Sequence, residues 1–370
     1  MGDITNIKPV FRKALRIVCF LIIGFILAIG CISQPAQTAS SLPPVAVEEG
    51  IDEEQFFSGF VPPELQLSQP DEELPVTAFR EIWAYLVAGR EQFLDLNHPI
   101  TDLVYFGAEV DSYGKLVDMP SFSNVQAFRG RKHFVAACNG RALTHFVLAE
   151  GSPERRALVR DLLEEARPYD GLQIDFETVP ARDGEIFLSF LRELRQGLGD
   201  KMFTVALPAR TRTLSEDVYD YTKIKPIVDR ILVMAYDEHW STSAPGPIAS
   251  MGWCQRVAQY SLDTIGQEKL IMGLPFYGRS WGSENMNVAY IYSTVERIIK
   301  EQNIKEIQRV NGIPTFKYNM PLSVTVFYED AYSLSARLEM YKRMGVNSVG
   351  FWRIGQETPA FWPVIRRENP

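Results

Sequence analysis

The run Tyr169-Asp-Gly-Leu-Gln-Ile-Asp-Phe-Glu177 alternates polar and apolar side chains over its second half. On a β-strand alternate side chains share a face. Gln173, Asp175 and Glu177 therefore line one side, and Leu172, Ile174 and Phe176 the other. The apolar row calls for a covering layer of helices, which leaves the polar row to face the centre of a closed sheet. Burying two neighbouring carboxylates with no basic residue on the same strand costs several kcal/mol. A carboxyl beside another carboxylate has its proton affinity raised, as a general acid requires. Glu177 ends the strand, where barrel enzymes keep their chemistry. Asp170 has the opposite parity from Asp175 and reads as structural.

On either side of this run, short β-rich runs alternate with helical stretches from about residue 76 to 370. The predicted strands are Glu81–Val87, Asp102–Ala108, Lys132–Ala137, Gly171–Glu177, Phe203–Leu207, Arg230–Tyr236, Leu270–Pro275 and Ser348–Ile354. Amphipathic helices are predicted over Pro153–Arg167, Asp183–Gly197, Gln255–Ile265 and Ser333–Met344. Eight buried strands alternating with helices predict a (β/α)8 barrel. The rival doubly wound sheet calls for a glycine-rich phosphate loop after the first strand, and Ala84-Tyr-Leu-Val-Ala-Gly89 is not one. Between strands seven and eight, 314–329 reads as two β-stretches around Asn319-Met-Pro321, a small β-containing insertion.

The N-terminal 75 residues read differently. Residues 1–16 carry Lys8, Arg12, Lys13 and Arg16, and an apolar run follows from Ile17 to Gly30. This is the pattern of a secretory signal, shorter than the ~20 apolar residues of a membrane span. An uncleaved anchor is the alternative. Cleavage after Gly30 leaves Cys31 first, in the manner of a bacterial lipoprotein, although Leu27 lies four residues before the Cys rather than the usual three. Cys31 is thus the expected lipidation site, and the protein is expected to be exported to the cell envelope and held at the membrane. From Cys31 to Pro75 there are seven Pro and nine Asp or Glu, with no Lys or Arg. Such a segment buries too little surface to repay its ordering entropy and reads as a tether.

Composition sets further bounds. With 46% hydrophobic and 23% charged residues the chain is globular as a whole. A net charge of −8 argues against a nucleic-acid partner. Four Cys do not make a disulfide scaffold, and Cys138 and Cys254 read as small buried thiols. The four His show no metal-ligand spacing, so neither metal nor cofactor is expected.

The octet Asp170–Glu177 resembles the DxxDxDxE signature of family 18 glycoside hydrolases, the chitinase-like barrels. Met234-Ala-Tyr-Asp237 is similar to that family's strand-six motif, and Gly273-Leu-Pro-Phe-Tyr-Gly-Arg279 to its strand-seven motif. Trp352, in Gly350-Phe-Trp-Arg353, matches the strand-eight Trp under the reacting sugar. Asp237-Glu-His-Trp240, followed by Pro245-Gly-Pro247, resembles the bacterial branch that contains spore-cortex-lytic N-acetylglucosaminidases. The resemblance implies a monomeric glycosidase acting on an N-acetylglucosamine-containing polysaccharide, peptidoglycan or chitin oligomers. It further implies that Glu177 protonates the glycosidic oxygen while the sugar's own 2-acetamido group attacks. Asp175 would orient the acetamide N–H, Tyr236 would donate to its oxygen, Trp352 would underlie the ring, and Asp237 would bind hydroxyls. Tyr277 and Arg279 are either substrate contacts or a structural pair; Trp240, Trp253 and Trp281 are either sugar platforms or packing.

Position 173 departs from the family pattern, which has Asp there. Gln173, expected among the substrate-binding residues, hydrogen-bonds but does not titrate. Without a second Asp beneath it, Asp175 is expected to stay charged to lower pH. A non-catalytic sugar-binding protein on the same barrel is the alternative function, and the retained Asp175 and Glu177 weigh against it.

Overall fold

A computed structural model of the chain describes residues 73–283, 287–319 and 322–368. The signal segment, Cys31, nearly all of the tether and the Met320-Pro321 turn lie outside the described residues.

Eight parallel strands close into a barrel: β1 (Glu81–Val87), β2 (Asp102–Val110), β3 (Arg131–Cys138), β4 (Gly171–Phe176), β5 (Met202–Pro208), β6 (Arg230–Met234), β7 (Leu270–Pro275) and β8 (Ser348–Trp352). Each pairs with its chain neighbour, and β8 closes on β1 through registers such as Gly350 with Trp83. The helices among the described residues are α1 (Arg141–Leu148), α2 (Pro153–Glu165), α3 (Gly184–Leu198), α4 (Tyr221–Ile224), α5 (Met251–Thr264), α6 (Tyr292–Glu301) and α7 (Ala331–Arg343). Four of them start on side-chain caps: Ser152 accepts from Arg155 N, Asp220 from Thr222 N, Ser250 from Trp253 N, and Asp330 from Ser333 N.

The period-2 pattern sorts the two faces of the barrel wall. Leu172, Ile174 and Phe176 of β4 join the outer core with Phe190 and Leu194 of α3, and the Phe176 and Phe190 rings stack at 5.4 Å. Trp83, Tyr85, Val104, Val135, Ala206, Leu232 and Ile271 fill the barrel interior. Fully buried Gln173 and Thr204 lie among the inward residues.

The N-terminal mouth is plugged by an ion network. Glu81 accepts from Arg131 at 2.9 Å and Arg230 at 2.8 Å, while Asp102 accepts from Arg131 at 2.6 Å and meets His133 Nε2 at 2.8 Å. Glu81 and Asp102 are buried while Arg131 reaches solvent, so loss of a cation leaves a buried carboxylate short of its partner. Asp170 is structural, as its parity predicts: its carboxylate accepts from Lys132 N at 2.8 Å and so ties β4 to β3. Cys138 and Cys254 are buried free thiols.

The expected insertion is larger than 314–329. It begins directly after β7 with Tyr277–Gly282 and makes a five-stranded antiparallel sheet with Val288–Ile291, Ser323–Phe327, Ile313–Asn319 and Gln308–Val310. Helix α6 packs on it through Val295 and Ile298 against Phe316 and Val326.

Candidate active site

Three strands end earlier than their sequence pattern predicts. β4 stops at Phe176 rather than Glu177, β6 at Met234 rather than Tyr236, and β8 at Trp352 rather than Ile354. In β6 the chain turns out of the ladder as Ala235 N bonds Val233 O at 2.8 Å. Glu177, Tyr236 and Asp237 are thereby released from the wall at its C-terminal mouth.

The segment carrying Glu177 is held from both sides. Glu177 N donates to Cys138 O at 2.9 Å. The Tyr219 hydroxyl donates to Phe176 O and accepts from Val179 N, each at 2.9 Å, so one phenol spans Glu177. Thr178 takes a left-handed φ of 57°, costly for a β-branched residue, and its hydroxyl accepts from Gly140 N at 2.9 Å. Arg210 and Asp217 support Tyr219, since Asp217 takes Arg210 at 2.7 Å and Tyr219 N at 3.1 Å.

Below Glu177, Asp175 is 8% exposed and its Oδ1 has no hydrogen-bond partner among the described residues. Gln173 is already engaged: its carbonyl accepts from the Tyr85 hydroxyl, and its Nε2 donates to Thr204 Oγ1 at 3.1 Å. Burial, and then the charge of Glu177, push the Asp175 carboxyl up to about 8. Glu177 is also raised, by burial first and then by Asp237. The expectation that Asp175 stays charged to lower pH is therefore wrong. Removing the second Asp takes away one like charge, but desolvation dominates. The pair retains a proton well above the usual carboxylate range.

Tyr236 sits beside these acids, its ring 6.4 Å from that of Tyr277 and at 78° to it. Gly273 makes room for it: a Cβ there would stand 3.0 Å from Tyr236 Cε1 and 2.7 Å from Val233 O. Asp237, at a φ of 55°, accepts from the Tyr277 hydroxyl at 2.7 Å and from Arg279 Nη2 at 2.9 Å. Tyr277 and Arg279 thus form one group with Asp237. Trp352 closes the floor, in edge contact with Tyr85 at 5.2 Å and Phe106 at 5.3 Å.

The three other candidate sugar platforms separate. Trp253 packs partly buried against the outer core, whereas Trp240 is 51% exposed at the rim. Trp281 is buried, and its Nε1 donates to Trp240 O at 3.2 Å, tying the insertion sheet to the loop after β6.

Sequence reading missed Tyr85, Thr204 and Tyr219, which support the paired acids from β1, β5 and the loop after β5. Each lies outside any motif, although the inward parity of Tyr85 and Thr204 was available.

Comparison with known proteins agrees with this geometry. Residues 100–357 match the model for glycosyl hydrolases family 18. The chain is 30% identical over 216 residues to the uncharacterized glycosylase YvbX of Bacillus subtilis, covering 55% of this chain and 63% of that protein. It is 27% identical over 235 residues to the cortical fragment-lytic enzyme of the same species, covering 59% and 54%. The spore cortex-lytic enzyme SleL of Bacillus cereus superposes with a TM-score of 0.69 at 22% identity, over 81% of this chain and 77% of that one. The alignments thus span about half to two thirds of the length of these curated relatives. With the motif residues gathered at one mouth of a closed barrel and the match covering most of the chain, the protein belongs to glycosyl hydrolases family 18.

Proposed function

We propose that the protein hydrolyses β-1,4 bonds of an N-acetylglucosamine-containing polysaccharide, peptidoglycan or chitin oligomers, with retention of configuration. The observation that carries this reading is the buried Asp175–Glu177 pair, which keeps a proton at the barrel mouth near neutral pH. A sugar-binding protein has no use for so costly a pair.

In the proposed mechanism Glu177, the outer member, draws the pair's proton from Asp175 and donates it to the glycosidic oxygen as the bond to the anomeric carbon breaks. Asp175 is then ionised and faces the acetamide N–H, steadying the oxazolinium cation formed when the acetamide oxygen attacks the anomeric carbon. Tyr236 donates to that oxygen and keeps it in line. Trp352 offers an apolar plane beneath the ring. Asp237 binds sugar hydroxyls, with Tyr277 and Arg279 fixing its carboxylate. Relatives named for lysis of spore cortex and its fragments favour peptidoglycan as the natural polymer. The charged and apolar N-terminal segments, with Cys31, support a place in the cell envelope.

The test is incubation of wild type and Glu177→Gln with peptidoglycan and with chitin oligomers, followed by mass analysis of reducing ends. The variant should bind sugar but lose about 100-fold or more in turnover. Near wild-type turnover would reassign the acid, and binding without cleavage by the wild type would make the protein a sugar-binding module.

A further inference from the structure

The end of the barrel opposite Glu177 carries cations that the hydrolytic scheme leaves unused. A groove of about 690 Å³ is lined there by Arg80, Arg129, Arg131, Lys132 and Arg367, against two acids, Glu81 and Asp170. Both acids are already engaged. Glu81 takes Arg131 and Arg230, and Asp170 accepts from Lys132 N at 2.8 Å. Arg80 is paired with Glu268 at 2.6 Å, and Glu368, next to Arg367 in the chain, is taken by Lys342. Arg129 and Arg367 are exposed and make no hydrogen bond or ion pair among the described residues. The backbone fixes where each stands. Lys132 Nζ donates to Phe128 O at 3.0 Å and Gly130 O at 3.1 Å, closing the turn that carries Arg129. That turn has no room for a side chain at Gly130, where a Cβ would stand 2.3 Å from Thr101 O. Arg367 ends a strand, Ile365–Arg367, paired in parallel with Thr77–Phe79, and Glu368 N donates to Phe79 O at 2.9 Å. In a chain of net charge −8 this end therefore opposes the sign of the whole.

The same end receives the N-terminal segment. Thr77–Phe79 is the first strand described, and Glu81 opens β1 directly after it. The stretch that leads from Cys31 thus joins the barrel beside the groove, whereas Glu177 and Trp352 stand at the far ends of their strands. We infer that this groove, through Arg129 and Arg367, seats on the phosphates of an anionic phospholipid surface and turns the catalytic mouth away from the membrane. The inference goes beyond the glycosidase reading and depends on the envelope address given with it. Each cation near such a surface adds attraction, and a single acyl chain alone holds a membrane weakly.

The experiment mixes the full chain with vesicles of phosphatidylcholine alone, and with vesicles of equal parts phosphatidylcholine and phosphatidylglycerol, and measures partition by sedimentation. An apolar anchor enters both alike, so the ratio of the two partition coefficients isolates the charge. Net charge alone would turn the protein away from the anionic vesicle. With the groove seated, the ratio should favour that vesicle and shrink as salt is raised. Arg129→Gln with Arg367→Gln should lower the ratio about 10-fold or more. Removing two equally exposed cations from the outer helices, Arg192→Gln with Arg256→Gln, should leave it nearly unchanged. Equal losses in the two double variants would reduce the effect to net charge and overturn the inference. A wild type that favours neither vesicle would also overturn it, leaving the groove to the chain's own acidic segment. Hydrolysis of a soluble N-acetylglucosamine oligomer should be unchanged in the Arg129/Arg367 variant. If the wild type cleaves nothing, the glycosidase reading fails by itself, and the vesicle ratio still decides this one.

Discussion

Asp175 is a carboxyl that the fold keeps protonated. Its folded-state pKa of about 8 lies far above the ordinary value near 4 that it has in the unfolded chain. The native state therefore binds this proton more tightly than the unfolded state does. The associated stability is fully present below pH 4 and is lost as pH rises toward 8. Asp175→Asn should accordingly be neutral at pH 4 and stabilising by a few kcal/mol at pH 8, read as the difference in Tm between the two proteins. An identical shift at both pH values would mean that Asp175 does not titrate as described. The same proton governs activity, so kcat/KM should fall above about pH 8 as the pair loses it. The two acids were legible from their spacing alone. Their pKa was not, because it depends on how completely other strands wall them off, and on Tyr85 and Thr204 occupying the amide of Gln173.

At the scale of elements, strand parity was legible and strand ends were not. Alternation in Leu172–Phe176 specified which face meets the helices, since a one-residue slip would bury the wrong set. The last residue of β6 depends on a local turn at Val233–Ala235, which leaves no compositional mark. The insertion sheet was half visible. Ile313–Asn319 and Ser323–Phe327 carry β-rich runs, but Gln308–Val310 is exposed along its whole length and has no apolar period to read. The phenol clamp on the β4 exit belongs here too. Tyr219→Phe removes the partner of Phe176 O and Val179 N, leaving buried polar groups unsatisfied at a cost of about 1–3 kcal/mol. If the clamp positions Glu177, kcat should drop about 10-fold with KM nearly constant. A lower Tm with unchanged kcat would limit Tyr219 to stability.

The whole molecule divides its labour between the two ends of one barrel. The Glu81–Arg131–Arg230–Asp102 network secures the N-terminal mouth, while the acids, Tyr236 and Trp352 gather at the C-terminal mouth. That division was legible in outline, because eight buried strands interspersed with amphipathic helices admit few other closures. In the proposed mechanism the substrate's own acetamide supplies the nucleophile, with Glu177 as the acid. The most direct test is the proton NMR spectrum of an N-acetylglucosamine oligomer in the first minutes of cleavage, before the new reducing ends equilibrate. These ends should appear in the β configuration, and a partner oligomer lacking the acetyl group on the reacting ring should be left uncut. Nascent ends in the α configuration, or equal cleavage of the deacetylated oligomer, would contradict this mechanism.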